Sequence, residues 1–252
     1  MNWVVNNLDV IAERTLAHLA LALPPIVLSF VIALPVGWLA NRRRWLRTPL
    51  LSASGLLYAI PSLPLFVVLP IIIGTGIRDP LNIVVALTLY GLALMVPSAA
   101  DALQAVDPRV EDAATALGYR PVSRFFAVEL PLAGPTLLAG LRVVAVSTIS
   151  LVTVGAVLGV PSLGLLFTDG FQRGIVAEVV AGLVVTVALA LALDGLLVAL
   201  GRVLMPWSRS PRTRLTDAPA DQSAAAQGEP DAVADPDAAS DAQPAGRRGA
   251  DA

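Results

Sequence analysis

The stretch Glu111-Asp112-Ala113-Ala114, with Gly118 closing it, brings together the carboxylates and small residues most able to do chemistry in a chain that is otherwise apolar. Paired carboxylates can serve as acid and base or hold a metal, but both uses need partners. The sequence contains no Cys, so thiol nucleophiles, thiolate metal sites and disulfides are excluded. Its single histidine, His18, is far from these carboxylates in sequence and builds no zinc or iron site alone. All 17 basic residues are Arg, so the phosphate-binding loop that requires a Gly-Lys pair is absent. Ser52 and Ser54 resemble no activated nucleophile, with His18 as their only base. The chemistry left to Glu111 and Asp112 is electrostatic: to cap, to pair or to dock. No cofactor is expected.

Around them the local pattern predicts a helical hairpin. Asp107-Pro108 is a helix start, with Asp able to cap free amides and Pro suited to the first position. Glu111 and Asp112 then lie near the positive end of that helix. Ala113, Ala114 and Ala116 keep its surface thin, and Gly118 suits the left-handed residue that ends it. Pro121 starts a second helix in which Val122, Phe125, Phe126 and Val128 form one apolar stripe, with Leu130-Pro131 expected to close it. A thin helix tip fits a groove on a partner. A plain connection between two spans fits the same residues equally well.

The elements that position this hairpin are membrane spans. Of 252 residues, 56% are hydrophobic and 14% charged, with a mean hydropathy of +0.75, which predicts an all-α, polytopic bundle of about five transmembrane helices. Apolar runs cover residues 15–40, 49–73, 81–100, 134–160 and 175–200, each long enough to cross the hydrocarbon. Pro61, Pro64 and Pro70 interrupt the second run, and neighbouring helices are expected to absorb them.

Twelve Arg before the tail fall on one side of this arrangement and three (Arg14, Arg78 and Arg173) on the other. The positive-inside rule therefore puts the N-terminus outside, the C-terminus inside and the polar loop 101–131 in the cytoplasm. Residues 1–14 lack a secretory signal and form an extracytoplasmic segment. Residues 15–207 read as one membrane domain, and 208–252 as a disordered acidic tail. Although residues 1–214 carry a net +4 against −6 in the rest, the Arg cluster at span ends, so nucleic acid is not an expected partner.

Within the spans, Ser147, Thr148, Ser150 and Thr153 are small polar positions able to line a path, and Asp194 is an intramembrane carboxylate and hence a candidate for it. A paired structural role for Asp194 is favoured over a functional one. Arg142 is expected to snorkel inward or to pair with Glu129 or Asp101. Glu178 and His18 are expected at the outer interface. An aromatic content of 5% offers no cage of rings for a cation, which places any such selectivity outside this chain.

Asp112-Ala113-Ala114, three residues, Gly118, nine residues, then Val128-Glu129-Leu130-Pro131 resembles the EAA loop of ABC importer permeases, with Asp112 in place of the usual Glu and Val128 in place of Ile. The resemblance extends over about residues 15–200. Tyr58-Ala59-Ile60-Pro61-Ser62-Leu63-Pro64-Leu65, Ala86-Leu87-Thr88-Leu89-Tyr90 and Val106-Asp107-Pro108 are similar to the permeases for glycine betaine, choline and carnitine. Gly159-Val160-Pro161-Ser162-Leu163-Gly164 departs from the glycine-rich stretch usual there.

This resemblance implies a permease in the cytoplasmic membrane, working with ABC ATPase subunits, an extracytoplasmic substrate-binding protein and a second permease subunit, identical or related. It implies coupling to the ATPase through Glu111, Asp112, Ala113, Ala114, Gly118, Leu130 and Pro131, and an osmoprotectant as solute. Another small solute such as an amino acid is the alternative. An ion-coupled secondary transporter ranks below these, because five spans do not divide into equal inverted halves, and an intramembrane hydrolase ranks last.

Overall fold

A computed structural model describes residues 2–208, so the acidic tail expected at 208–252 lies almost wholly outside the described residues. The described residues form helices and no strand. In chain order these are α1 (Asn2–Asn6), α2 (Leu8–Arg42), α3 (Arg44–Ala59), α4 (Ser62–Ile73), α5 (Pro80–Gln104), α6 (Pro108–Ala116), α7 (Pro121–Arg124), α8 (Leu130–Val152), α9 (Gly164–Arg173) and α10 (Val176–Leu204). A π-turn at Phe125–Glu129 joins α7 to α8, and a 3-10 turn at Thr153–Leu158 extends α8. Among the described residues, four of these helical runs are long and apolar enough to cross a membrane, and the bent pair α3–α4 brings the number to five if it crosses as one broken span.

Small residues bring α2, α5 and α8 together. A Cβ on Gly37 of α2 would lie 2.9 Å from the Ala100 backbone nitrogen of α5, and one on Gly91 of α5 would lie 2.6 Å from Ser29 of α2. Gly140 of α8 packs as closely on Ser98 of α5, 2.8 Å from an added Cβ. Association in lipid gains little from hydrophobicity, so backbone approach of this kind is what holds such helices. Buried aliphatics, among them Ile83, Leu87, Met95, Leu137, Val144 and Ile149, fill the space between.

Several expected boundaries move. The first long helix begins at Leu8, ahead of the apolar run from residue 15, because helical hydrogen bonding continues through Asp9 and Glu13. The second run is not one span straightened by its neighbours: it breaks at Ile60-Pro61, and α3 and α4 meet at 103°. Pro61 has no amide and holds Ile60 extended (ψ 126°), whereas Pro49 and Pro70 remain inside helices. The loop expected at 161–174 contains α9, and the last span reaches Leu204.

Pro131 does not close the second hairpin helix. The chain runs on from α7 into α8, with the Leu130 amide donating five residues back to the Phe125 carbonyl. This widened turn makes room for a ring that would otherwise crowd the carbonyl of Ala127. The second arm of the hairpin is therefore the foot of the fourth span.

Candidate functional site

The hairpin is built from its caps inward. Asp107 Oδ1 accepts from the Arg109 amide at 2.9 Å, and Pro108 takes the first turn of α6. At the other end Gly118 has φ 86°, while its amide donates to Thr115 and that of Tyr119 to Ala114. Only Ala114 of α6 is buried. Asp112, Ala113, Ala116, Leu117 and Gly118 are exposed, and they form a tip with little side-chain bulk beyond Leu117.

Arg124 ties this tip to the foot of α8. Its guanidinium donates to Glu129 Oε1 at 2.7 Å, to Thr115 Oγ1 at 3.0 Å and lies 3.0 Å from Glu111 Oε2. Glu129 is buried, so a charge that would otherwise be costly there is matched. Burial, and then the neighbouring Glu129, push the Glu111 carboxyl above its usual range against the opposing pull of Arg124. Beneath this cluster Phe125 is buried edge-on to Trp38 of α2, with centroids 5.6 Å apart. Phe126, from the same expected apolar stripe, is 62% exposed. Leu130 packs into the core, and Pro131 occupies the first turn of α8.

The path candidates do not share one face. Ser147, Ser150 and Thr153 fall on a partly exposed side of α8 and its extension, while Thr148 turns into the core. Asp194 is held away from them by Arg142, with bonds of 2.6 and 2.7 Å that fasten α10 to α8. The partners expected for Arg142 are taken: Glu129 by Arg124 and Asp101 by Arg47, the latter at 3.0 Å.

Two residues expected at the outer interface are buried. Glu178 is 2% exposed and pairs with Arg173 of α9. His18 is fully buried, and its Nε2 lies 3.0 Å from the Ile149 carbonyl. The Thr153 amide turns to Ser150 and Leu151 where α8 tightens, which leaves that carbonyl to the imidazole. Nothing at i, i+4 spacing could have revealed either contact.

Residues 26–207 match the family described as binding-protein-dependent transport system inner membrane component. The chain belongs to that family. This permease is 34% identical to the osmoprotectant import permease protein OsmW of Salmonella typhimurium strain LT2, over 82% of its own length and 97% of the relative's. It is 36% identical to the ergothioneine transport permease/ergothioneine binding protein EgtU of Helicobacter pylori strain G27, over 62% of the permease and 28% of that longer chain. Its fold matches a chain of the MetNI methionine ABC transporter in an inward-facing form, with a TM-score of 0.68 and 22% identity over 77% of the permease and 95% of that chain. The permease is thus a multi-pass protein of the inner membrane and the transmembrane component of an importer.

Proposed function

We propose that the permease forms, with a second permease subunit, the path of an ATP-driven importer for an osmoprotectant such as glycine betaine, choline, carnitine or proline. Hydrolysis belongs to separate ATPase subunits, one docked on the exposed tip of α6 in each permease. An extracytoplasmic binding protein delivers the solute at the other end. Glu111, Asp112, Ala113, Ala114 and Gly118 form the docking tip, and Leu130 and Pro131 root it in α8.

The observation that carries this reading is the Arg124 cluster. A connection serving only to join two spans gains nothing from a matched buried charge linking its tip to a span. With that link, displacement of α6 by an ATPase is passed to α8 rather than absorbed in a loop. The solute class rests on the relative named for osmoprotectants. The relative named for ergothioneine supports a second, chemically adjacent solute, because ergothioneine is also a trimethylammonium betaine.

The test is uptake of radiolabelled glycine betaine by proteoliposomes holding the permease, its ATPase and the loaded binding protein. Uptake should require ATP, and Asp112→Trp should abolish both uptake and copurification of the ATPase. Transport by the isolated permease, or uptake that survives ATP depletion and collapses with an uncoupler, would overturn the reading in favour of ion coupling.

A further inference from the structure

The break between α3 and α4 leaves non-helical backbone where lipid does not tolerate it. Tyr90 lies ten residues into α5, about 15 Å along that helix. Its hydroxyl donates to the Ile60 carbonyl at the break, so the elbow sits in the middle third of the bundle. Ile60 is 41% exposed, and Tyr58, Ala59, Pro61, Leu63 and Pro64 around it are exposed too. Irregular backbone at this depth is stable only against protein or along water. By contrast, Leu23, Val27 and Val31 form an exposed aliphatic stripe on unbroken α2, as a lipid-facing surface does.

One ring is presented at this elbow. Tyr58 stands edge-to-face with Tyr90, centroids 6.3 Å apart and planes at 82°. Tyr90 is buried and immobilised by its bond to Ile60, while Tyr58 remains 52% exposed. A ring held at mid-depth, with an apolar body and a hydroxyl suited to water, has the attributes of a cation-recognising surface. The sequence contains these residues thirty-two positions apart, and only the fold makes them a pair.

We infer that the α3–α4 elbow lines the solute path and that Tyr58 receives the quaternary ammonium group of the solute as it passes. This rests on the proposed osmoprotectant function and extends it to a residue within the membrane. Tyr58 is one wall rather than a closed cage, which suits a transit site: attraction strong enough to admit a cation and weak enough to release it.

The absence of Cys allows a direct test in the complete transporter, with its ATPase and binding protein, in proteoliposomes. Tyr58→Cys should react with a trimethylammonium-bearing methanethiosulfonate at least about tenfold faster than Val27→Cys, since a thiol ionises in water and not in lipid. Glycine betaine uptake should fall roughly tenfold in Tyr58→Leu and stay within about twofold in Tyr58→Phe and Tyr58→Trp, which keep a π face. ATPase stimulation by the loaded binding protein should persist in all three. Labelling of Tyr58→Cys no faster than Val27→Cys would overturn the inference by showing the elbow packed against a neighbouring subunit or lipid, and that labelling decides alone if Tyr58→Leu does not assemble. Unchanged uptake in Tyr58→Leu overturns the inference while the proposed function stands. A wild-type transporter that imports no quaternary ammonium overturns both.

Discussion

Helices α5 and α10 are both long and strongly apolar, yet 56% of the most apolar window of α5 is buried against 6% of that of α10. Hydropathy does not separate them; packing does. The α5 helix meets its neighbours through Gly91, Ala99 and Ala100, where backbones nearly touch. The α10 helix is fastened at separate points: Arg142 on Asp194, Arg173 on Glu178, and Gly201 against Leu138. Ala181 and Leu193 add packing along one edge, and most of its remaining surface is exposed. One helix is enclosed by its neighbours in this chain, and the other presents most of its length outward.

Crowding the α5 contact should have the largest effect. Gly37→Val sets side-chain atoms against the Ala100 backbone, which cannot swing aside, and should cost about 3 kcal/mol in reversible unfolding from detergent micelles. Next comes the fastening of α10. Asp194→Leu strands Arg142 in the membrane and should lower the thermal midpoint clearly, whereas Arg142→Met combined with Asp194→Leu should restore most of it, as expected when an ion pair gives way to apolar packing. If the single and double variants melt alike, the pair is not what holds α10 to α8.

The helix between them, α8, supplies the third test at its foot. Arg124→Met combined with Glu129→Gln, which leaves no unmatched buried charge, should keep the bundle folded but uncouple it, with basal ATPase activity retained in the complex and uptake lost. The smallest effect concerns Glu111. Because its carboxyl is raised in the fold, the folded hairpin holds a proton more readily than the open one. Its contribution to stability is full below the ordinary carboxylate value and is lost as pH rises through the raised one. Hydrogen exchange of α6, corrected for intrinsic rates between about pH 4.5 and 7, should therefore slow on acidification in the wild type and stay flat in Glu111→Gln.

What the sequence could convey is local. Asp107 and Gly118 hold the capping positions that their residue types demand, and the apolar runs mark the spans, because both signals act within a few residues. Pairing is not local. Of Glu129, Asp101 and Asp194, the carboxylate Arg142 meets is the one farthest along the chain, and only the meeting of α8 and α10 selects it. The burial of His18 is not legible in the sequence because its partner is a backbone carbonyl, freed by a change of helical pitch that no residue type announces. Pro61 and Pro70 look alike in the sequence, yet one turns the chain and the other stays within a helix.

The unbroken run from Pro121 to Leu158 has a mechanical consequence. Its 38 residues amount to a lever roughly 55 Å long, so a tilt of about 10° imposed at the inner end sweeps the far end through nearly ~10 Å. Had Pro131 ended one helix and begun another, a joint would have sat at the foot of that lever and dissipated the stroke. The π-turn keeps the rod in one piece, so a small tilt at one end is carried undiminished to the other.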